Sequence, residues 1–241
     1  MATFIKLKNP PIREIIFTIS FNENVPLEKL DAFKILPIIA EEFPAVDKGF
    51  NTQVVANNNE TPVSKTNLDG YLLRSPISVA RIIQARRGSF ALHKYNGYVE
   101  FETLIDEFFK YWDLLIQCTG NLTINNISVR YLNFIEKNNQ EKVEDLITVV
   151  TNQPYGEKLD NTFTQFKFQY HKKPEIAATI ITAKGRVQNI DGIVLDIILN
   201  TQIGGRQERE FIWNSFFDMK SAKNDLFFRS ITEKAIKKYN I

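Results

Sequence analysis

Apolar side chains recur at spacings of three and four through residues 101–116, where Phe101, Leu104, Ile105, Phe108, Trp112, Leu115 and Ile116 stack on one face of a helix. Such a face has to be buried. Gly120 and Asn121 follow its last apolar turn, and a residue that tolerates left-handed geometry is what ends a helix there. The period then changes from helical to two. Over 122–135, alternation sets Ser128, Arg130, Leu132 and Phe134 on one face and Val129, Tyr131, Asn133 and Ile135 on the other. Both faces carry large apolar groups, which predicts a central strand with material packed on each side.

Upstream, Asn9, Pro10 and Pro11 stiffen the approach to a strand over 12–21, in which Ile15, Phe17, Ile19 and Phe21 share a face. A helix is predicted from Pro26 to about Glu42, kinked or interrupted at Pro37. Strands are expected over 50–57, 70–75, 78–85 and 89–95, broken by the Asn57, Asn58, Asn59 run and by Ser75-Pro76. Residues 137–159 are polar apart from a short apolar piece at 143–150. Beyond them Phe163, Phe166, Phe168 and Tyr170 open a strand, Lys172, Lys173 and Pro174 turn it, 176–182 returns, and 192–201 makes a third strand. Gly204-Gly205 breaks the pattern, and the remainder is helical.

The predicted fold class is α+β, with largely antiparallel sheets and packed helices in two similar halves, β-α-β-β-β-β-α-β followed by β-β-β-α-α. The division is an N-terminal half over 1–136, a connecting segment over 137–159, and a C-terminal meander with helices over 160–241, packed as one unit. Two meander sheets are expected, each with free edges.

Composition adds bounds. The 241 residues are 44% hydrophobic and 12% aromatic, ample for a packed core. The net charge of +2 argues against a dedicated nucleic-acid or anionic-membrane binder, which carries a marked basic surplus. A single cysteine, Cys118, excludes an internal disulfide and a thiolate metal site. No basic-then-apolar signal segment opens the chain and no apolar run approaches a membrane span, so the expected location is the cytoplasm. With 19 Phe and few edge guards, a homodimer that covers a sheet edge is expected.

Candidate chemistry centres on two charges set in apolar strands. A guanidinium does not deprotonate, so Arg130 needs an anionic partner: a core carboxylate, or a bound carboxylate or phosphate held in its planar fork. Asp196 interrupts IVLDIIL, where a carboxylate must be hydrogen-bonded or paired or else its pKa rises, with Arg130 the first candidate partner and Arg186 the alternative. If the two line a cleft instead, Ser128 is the residue of the same strand that joins Arg130 as a ligand contact, while Tyr131 and Asn133 point away.

A second cluster interleaves Arg81, Arg86, Arg87 and Lys94 with Phe90, Tyr95 and Tyr98. Basic residues beside aromatics on a sheet suit single-stranded nucleic acid, yet the spacing does not fit an RNP1 motif, and a hairpin about Arg87-Gly88 with a solvated basic edge is the favoured reading. His93 and His171 are each followed by Lys, lack metal-ligand spacing, and read as surface or turn residues. There is no G-x-S-x-G elbow and no glycine-rich phosphate loop, so neither a catalytic residue nor a cofactor or metal site is assigned.

Four segments also carry a resemblance. NPPIREIIFTISF at 9–21, SVRYLNFI at 128–135, VLDI at 194–197 and FFRSITEK at 227–234 resemble the landmarks of a sporadically distributed family of uncharacterised prokaryotic proteins of about this length. The family usually has a Gly before Leu-Arg-Tyr where this chain has Ser128 and Val129. Its last helix often carries a His where Lys223 or Asn224 stands here. The resemblance implies fold and extent but no activity. The expected function is therefore a non-catalytic binding or interaction protein that recognises a protein partner or a small ligand, in an accessory or regulatory role. The alternative is an enzyme or nucleic-acid-acting protein that uses an Arg/Asp-lined cleft.

Overall fold

The computed structural model describes residues 7–55, 63–76, 80–95, 100–149, 163–205 and 208–240. Among them the strands are β1 Ile12–Phe21, β2 Ala45–Val55, β3 Val63–Arg74, β4 Arg81–Arg86, β5 Ser89–Tyr95, β6 Ile124–Glu136, β7 Phe163–Gln169, β8 Ile176–Val187 and β9 Ile190–Gln202. The helices are α1 Leu27–Lys34, α2 Pro37–Glu42, α3 Phe101–Thr119, α4 Arg209–Ser230 and α5 Glu233–Lys238. None of these helices is long and apolar enough to cross a membrane.

Local sequence explains most of these limits. The 26–42 helix is split in two, with Pro37 starting α2 because its ring suits a first helical turn and not an interior one. Gly120 ends α3 at φ +82°, the left-handed conformation its missing side chain allows. In β3, Gly70 lies within the strand rather than at its start. It has φ +152°, beside a register shift between Gly49 and Phe50 of β2, and a Cβ there would sit 2.1 Å from the Ala85 carbonyl oxygen. A glycine read as a strand boundary is thus a bulge, and β2 and β3 begin earlier than expected, at Ala45 and Val63. The run Asn57 to Asn59, the Ser78 start of a strand and the 150–159 part of the connecting segment fall outside the described residues.

The strands form one antiparallel sheet in the order β2-β3-β4-β5-β1-β6-β9-β8-β7, not two sheets. What fuses them is β6, whose one edge pairs with β1 and whose other edge pairs with β9, from Asn126 against Gln202 to Glu136 against Gly192. Each half follows one plan. Its first strand sits at the centre and pairs with the last strand of its own meander, β1 with β5 and β6 with β9, and a long helix follows. The two helices touch through Phe101 and Phe217 at 5.3 Å and Phe109 and Trp213 at 5.5 Å.

One face of the sheet carries the core. Ile15, Phe17, Ile19, Val129, Tyr131, Leu195, Ile197 and Leu199 are buried there. The Phe17 ring meets Phe101 of α3 at 5.3 Å and Phe216 of α4 at 5.4 Å. The other face of the central strands differs from expectation: Ile16, Ile82, Leu132 and Ile198 are half-buried and lie outside the core, and no described helix packs on them. Phe134 is shielded locally instead. Its ring lies over Gly192, where a Cβ would come within 2.5 Å of it, and the Arg13 guanidinium caps it at 5.6 Å.

Candidate functional site

Antiparallel register decides which polar groups meet on the helix-free face, because residues opposite one another point the same way. One row runs Tyr95, Glu14, Leu132 and Asp196 across β5, β1, β6 and β9; the next runs His93, Ile16, Arg130 and Ile198. Five polar side chains thus fall on four adjacent strands, astride the seam between the halves.

Arg130 and Asp196 do pair. The guanidinium donates from Nε to both carboxylate oxygens at 3.0 Å and from Nη2 to Oδ2 at 2.7 Å. The Asp196 side chain is 4% exposed and that of Arg130 is 40% exposed, so the acid is buried under a cation that reaches solvent. Arg186, the alternative partner, binds Asp191 at 3.3 Å instead. Ser128 lies on the same face, opposite Thr18 and Asn200, and makes no hydrogen bond to Arg130. Tyr131 and Asn133 point to the helix layer, where the Asn133 amide donates to the carbonyls of Tyr131 and Leu195.

His93 corrects the expectation of a surface residue. It is 8% exposed, because β5 lies inside the sheet between β4 and β1, and its Nδ1 is 2.7 Å from Glu14 Oε1. An ionised carboxylate only accepts, so Nδ1 donates, and the tautomer compatible with that bond carries its lone pair on Nε2. Burial works against the Glu14 charge, but hydrogen bonds from His93 and Tyr95 and the nearby Arg130 outweigh it and hold the carboxyl below its ordinary pKa. Burial and the bond to Glu14 push the Tyr95 hydroxyl the other way, well above its ordinary range. His171 sits exposed in the turn after β7, as expected.

The basic candidates are not brought onto one surface. Alternation turns Arg81 and its neighbour Lys94 to the helix layer and Arg86 to the open face. Arg81 is held by Glu107, Glu42 and the Tyr111 hydroxyl, Arg86 by Asp69 at 3.2 Å, and Arg87 Nε donates to the Val25 carbonyl at 3.2 Å. Burial and the Arg81 charge lower the pKa of Lys94. Phe90 is in the core and Tyr95 belongs to the Glu14 group, while Tyr98 falls outside the described residues.

Sequence reasoning missed Glu14 and Tyr95 as members of the site, and also the group in which Glu42 and Glu107 clasp Arg81 and Tyr111 between α2, α3 and β4. Glu14 had a usable signal, since it interrupts the apolar strand IREIIF as Asp196 interrupts IVLDIIL. On the helix side, Lys223 of α4 lies 4.3 Å over the Tyr131 ring. No carboxylate pairs with it among the described residues, and burial, helped by Lys220, lowers its pKa to about 8. A cleft of ≈ 560 Å³ between the ends of β8 and β9 and α4, lined by Thr201, Ile203, Phe211 and Asp218 among others, contains none of the five polar residues. Among the described residues no helix covers the polar cluster, and within it Asp196 and His93 are buried while Arg130 reaches solvent. Compared with protein-family models and with curated proteins the chain matches none.

Proposed function

We propose that the chain is a non-catalytic binding or interaction protein of the cytoplasm whose helix-free sheet face recognises a protein partner or small ligand. The observation that carries this is Arg130. Its Nε and Nη2 are spent on Asp196, but Nη1 has no partner among the described residues, and the head is 40% exposed amid half-buried Ile16, Ile198 and Leu132. Half an arginine fork ringed by aliphatic groups suits a ligand that brings a carboxylate and apolar surface. The resemblance to the prokaryotic family is part of the proposal. Three of its four segments lie in β1, β6 and β9, the adjacent strands that carry Glu14, Arg130 and Asp196, and the fourth joins α4 to α5. As to assembly, we propose a homodimer in which a second copy covers a sheet edge.

Isotope-labelled protein titrated with succinate and with an acidic peptide tests the recognition surface. Amide shifts in β1, β5, β6 and β9, and at Arg130 Nε–H, are expected, and Ile16→Asp should weaken them. Shifts confined to the outer surfaces of α3 and α4, or none with either probe, would overturn the carboxylate reading. A second reading, an enzyme, is favoured by the Glu14 to His93 bond, which orients an imidazole Nε2 as a general base would need. Its test is a product formed by the wild type and absent with His93→Gln while ligand binding persists.

A further inference from the structure

We infer that the homodimer forms through the β7 edge, two copies pairing β7 antiparallel about Phe166 into one continuous sheet. The inference rests on the assembly part of the proposal above, and it names the edge and the register.

The sheet ends on two strands, and they differ. Among the described residues β2 pairs with β3 alone and β7 with β8 alone. The β2 edge carries Asp47 and Lys48 and a register shift at Gly49, devices that discourage a further strand. The β7 edge is regular, in unbroken register with β8 from Phe163 against Ala183 to Gln169 against Ala177. Its one charge is Lys167. Phe163, Phe166 and Phe168 are 66%, 40% and 39% exposed, which is costly to leave in water on a strand whose outer backbone donors and acceptors meet no other strand among the described residues.

Symmetry and charge then select the partner and the register. A two-fold axis that joins two edges antiparallel stands perpendicular to the sheet, so the helix layers stay on one side and opposed residues share a face. Centring on Phe166 pairs the whole strand: Phe166 meets its own copy, Thr164 meets Phe168, Gln165 meets Lys167 and Phe163 meets Gln169. A centre at Lys167 would oppose two like charges, and a centre at Gln165 would set Phe163 against Lys167 and leave the strand end unpaired. Self-pairing about Phe166 therefore gives the one charged residue an amide partner and each Phe a neutral one.

Light scattering and sedimentation at about 50 μM on the full chain test this, with circular dichroism confirming that each variant is folded. The wild type should run at twice 27.9 kDa. Phe166→Glu, which opposes two carboxylates, should run as monomer. Gln165 is exposed, so its substitution leaves the fold intact. Gln165→Glu faces Lys167 of the second copy twice by symmetry and should tighten the dimer roughly tenfold, and Gln165→Lys should loosen it by a similar factor. A wild type that stays monomeric overturns both the assembly proposal and this inference. A dimer indifferent to Phe166→Glu overturns the edge while assembly stands. A dimer that responds to Phe166→Glu but not in opposite senses to the two Gln165 variants overturns the register.

Discussion

Removing the Arg130 guanidinium leaves a carboxylate that is 4% exposed without its fork of hydrogen bonds. Arg130→Met is therefore expected to cost about 2–3 kcal/mol, less than the ~3–5 of a fully buried pair because the guanidinium itself is 40% exposed. Asp196→Leu in the same chain should recover part of the loss, and a double-mutant cycle in urea should show a coupling above ~1 kcal/mol. Strict additivity would mean that the two side chains do not act as a pair. Lys223 acts in the opposite sense. Its pKa falls on folding from an ordinary 10.5 to about 8, so its charge is resisted by the folded state. The penalty is complete below pH 8. It is relieved as pH rises from about 8 to 10.5, where the unfolded chain holds more protons than the folded one. Lys223→Met should accordingly stabilise the protein at pH 7 by an amount on the order of 2 kcal/mol, and the advantage should shrink towards pH 10. Melting temperatures of the two proteins across that range decide it. A difference that does not change with pH would place the amine in water.

At the scale of elements, the β6 to β9 pairing ties the C-terminal meander to the centre of the sheet, and Gly192 is its tightest point. A Cβ there would lie 2.5 Å from the Phe134 ring and 2.7 Å from the Ile135 carbonyl oxygen. Gly192→Ala should cost roughly 2–3 kcal/mol by overpacking, whereas Gly88→Ala, in a turn with open space around it, should be nearly neutral. Equal effects in denaturant melts would show that the ring moves aside freely. Local signals made β1 legible to the residue, and also α3 with its Gly120 end and the break at Pro37. They failed at Gly70, because a glycine says that the backbone needs freedom and not whether a turn or a bulge uses it. Partners joined by short turns were legible, β4 with β5 about Arg87-Gly88 and the β7-β8-β9 meander, but the long-range pairings of β6 with β1 and β9 were not: alternation in β6 tells which side chains share a face but not that Asp196 lies diagonal to Arg130. That pair was reached through its chemistry, since a charge in an apolar strand needs a counter-charge. His93 was missed because its burial comes from neighbours on β1 and β4, distant in sequence.

For the molecule as a whole, the shared sheet predicts one unfolding transition. The described part of the connection is docked as well: the Thr148 amide donates to the Ser230 carbonyl at 2.9 Å and the Thr232 amide to the Leu146 carbonyl at 3.1 Å. The two tryptophans report on opposite halves, Trp112 on α3 and Trp213 on α4. Single-tryptophan variants made with Trp112→Phe and Trp213→Phe should give the same urea midpoint relative to circular dichroism of the same chain. Separated midpoints would mean that the halves open one at a time. The central placing of β1 also bears on biosynthesis. The strand is made first, yet one of its two edges waits for β6, which is followed by a third strand that must travel back from beyond residue 189. A nascent chain emerging from the ribosome can close β1 on β5 but keeps an apolar strand open on its other side until residue 136 has cleared the exit tunnel. Pairings of such separation form slowly, so vectorial synthesis leaves a sticky interval in the middle of translation, and this is the stage at which a general chaperone would be needed.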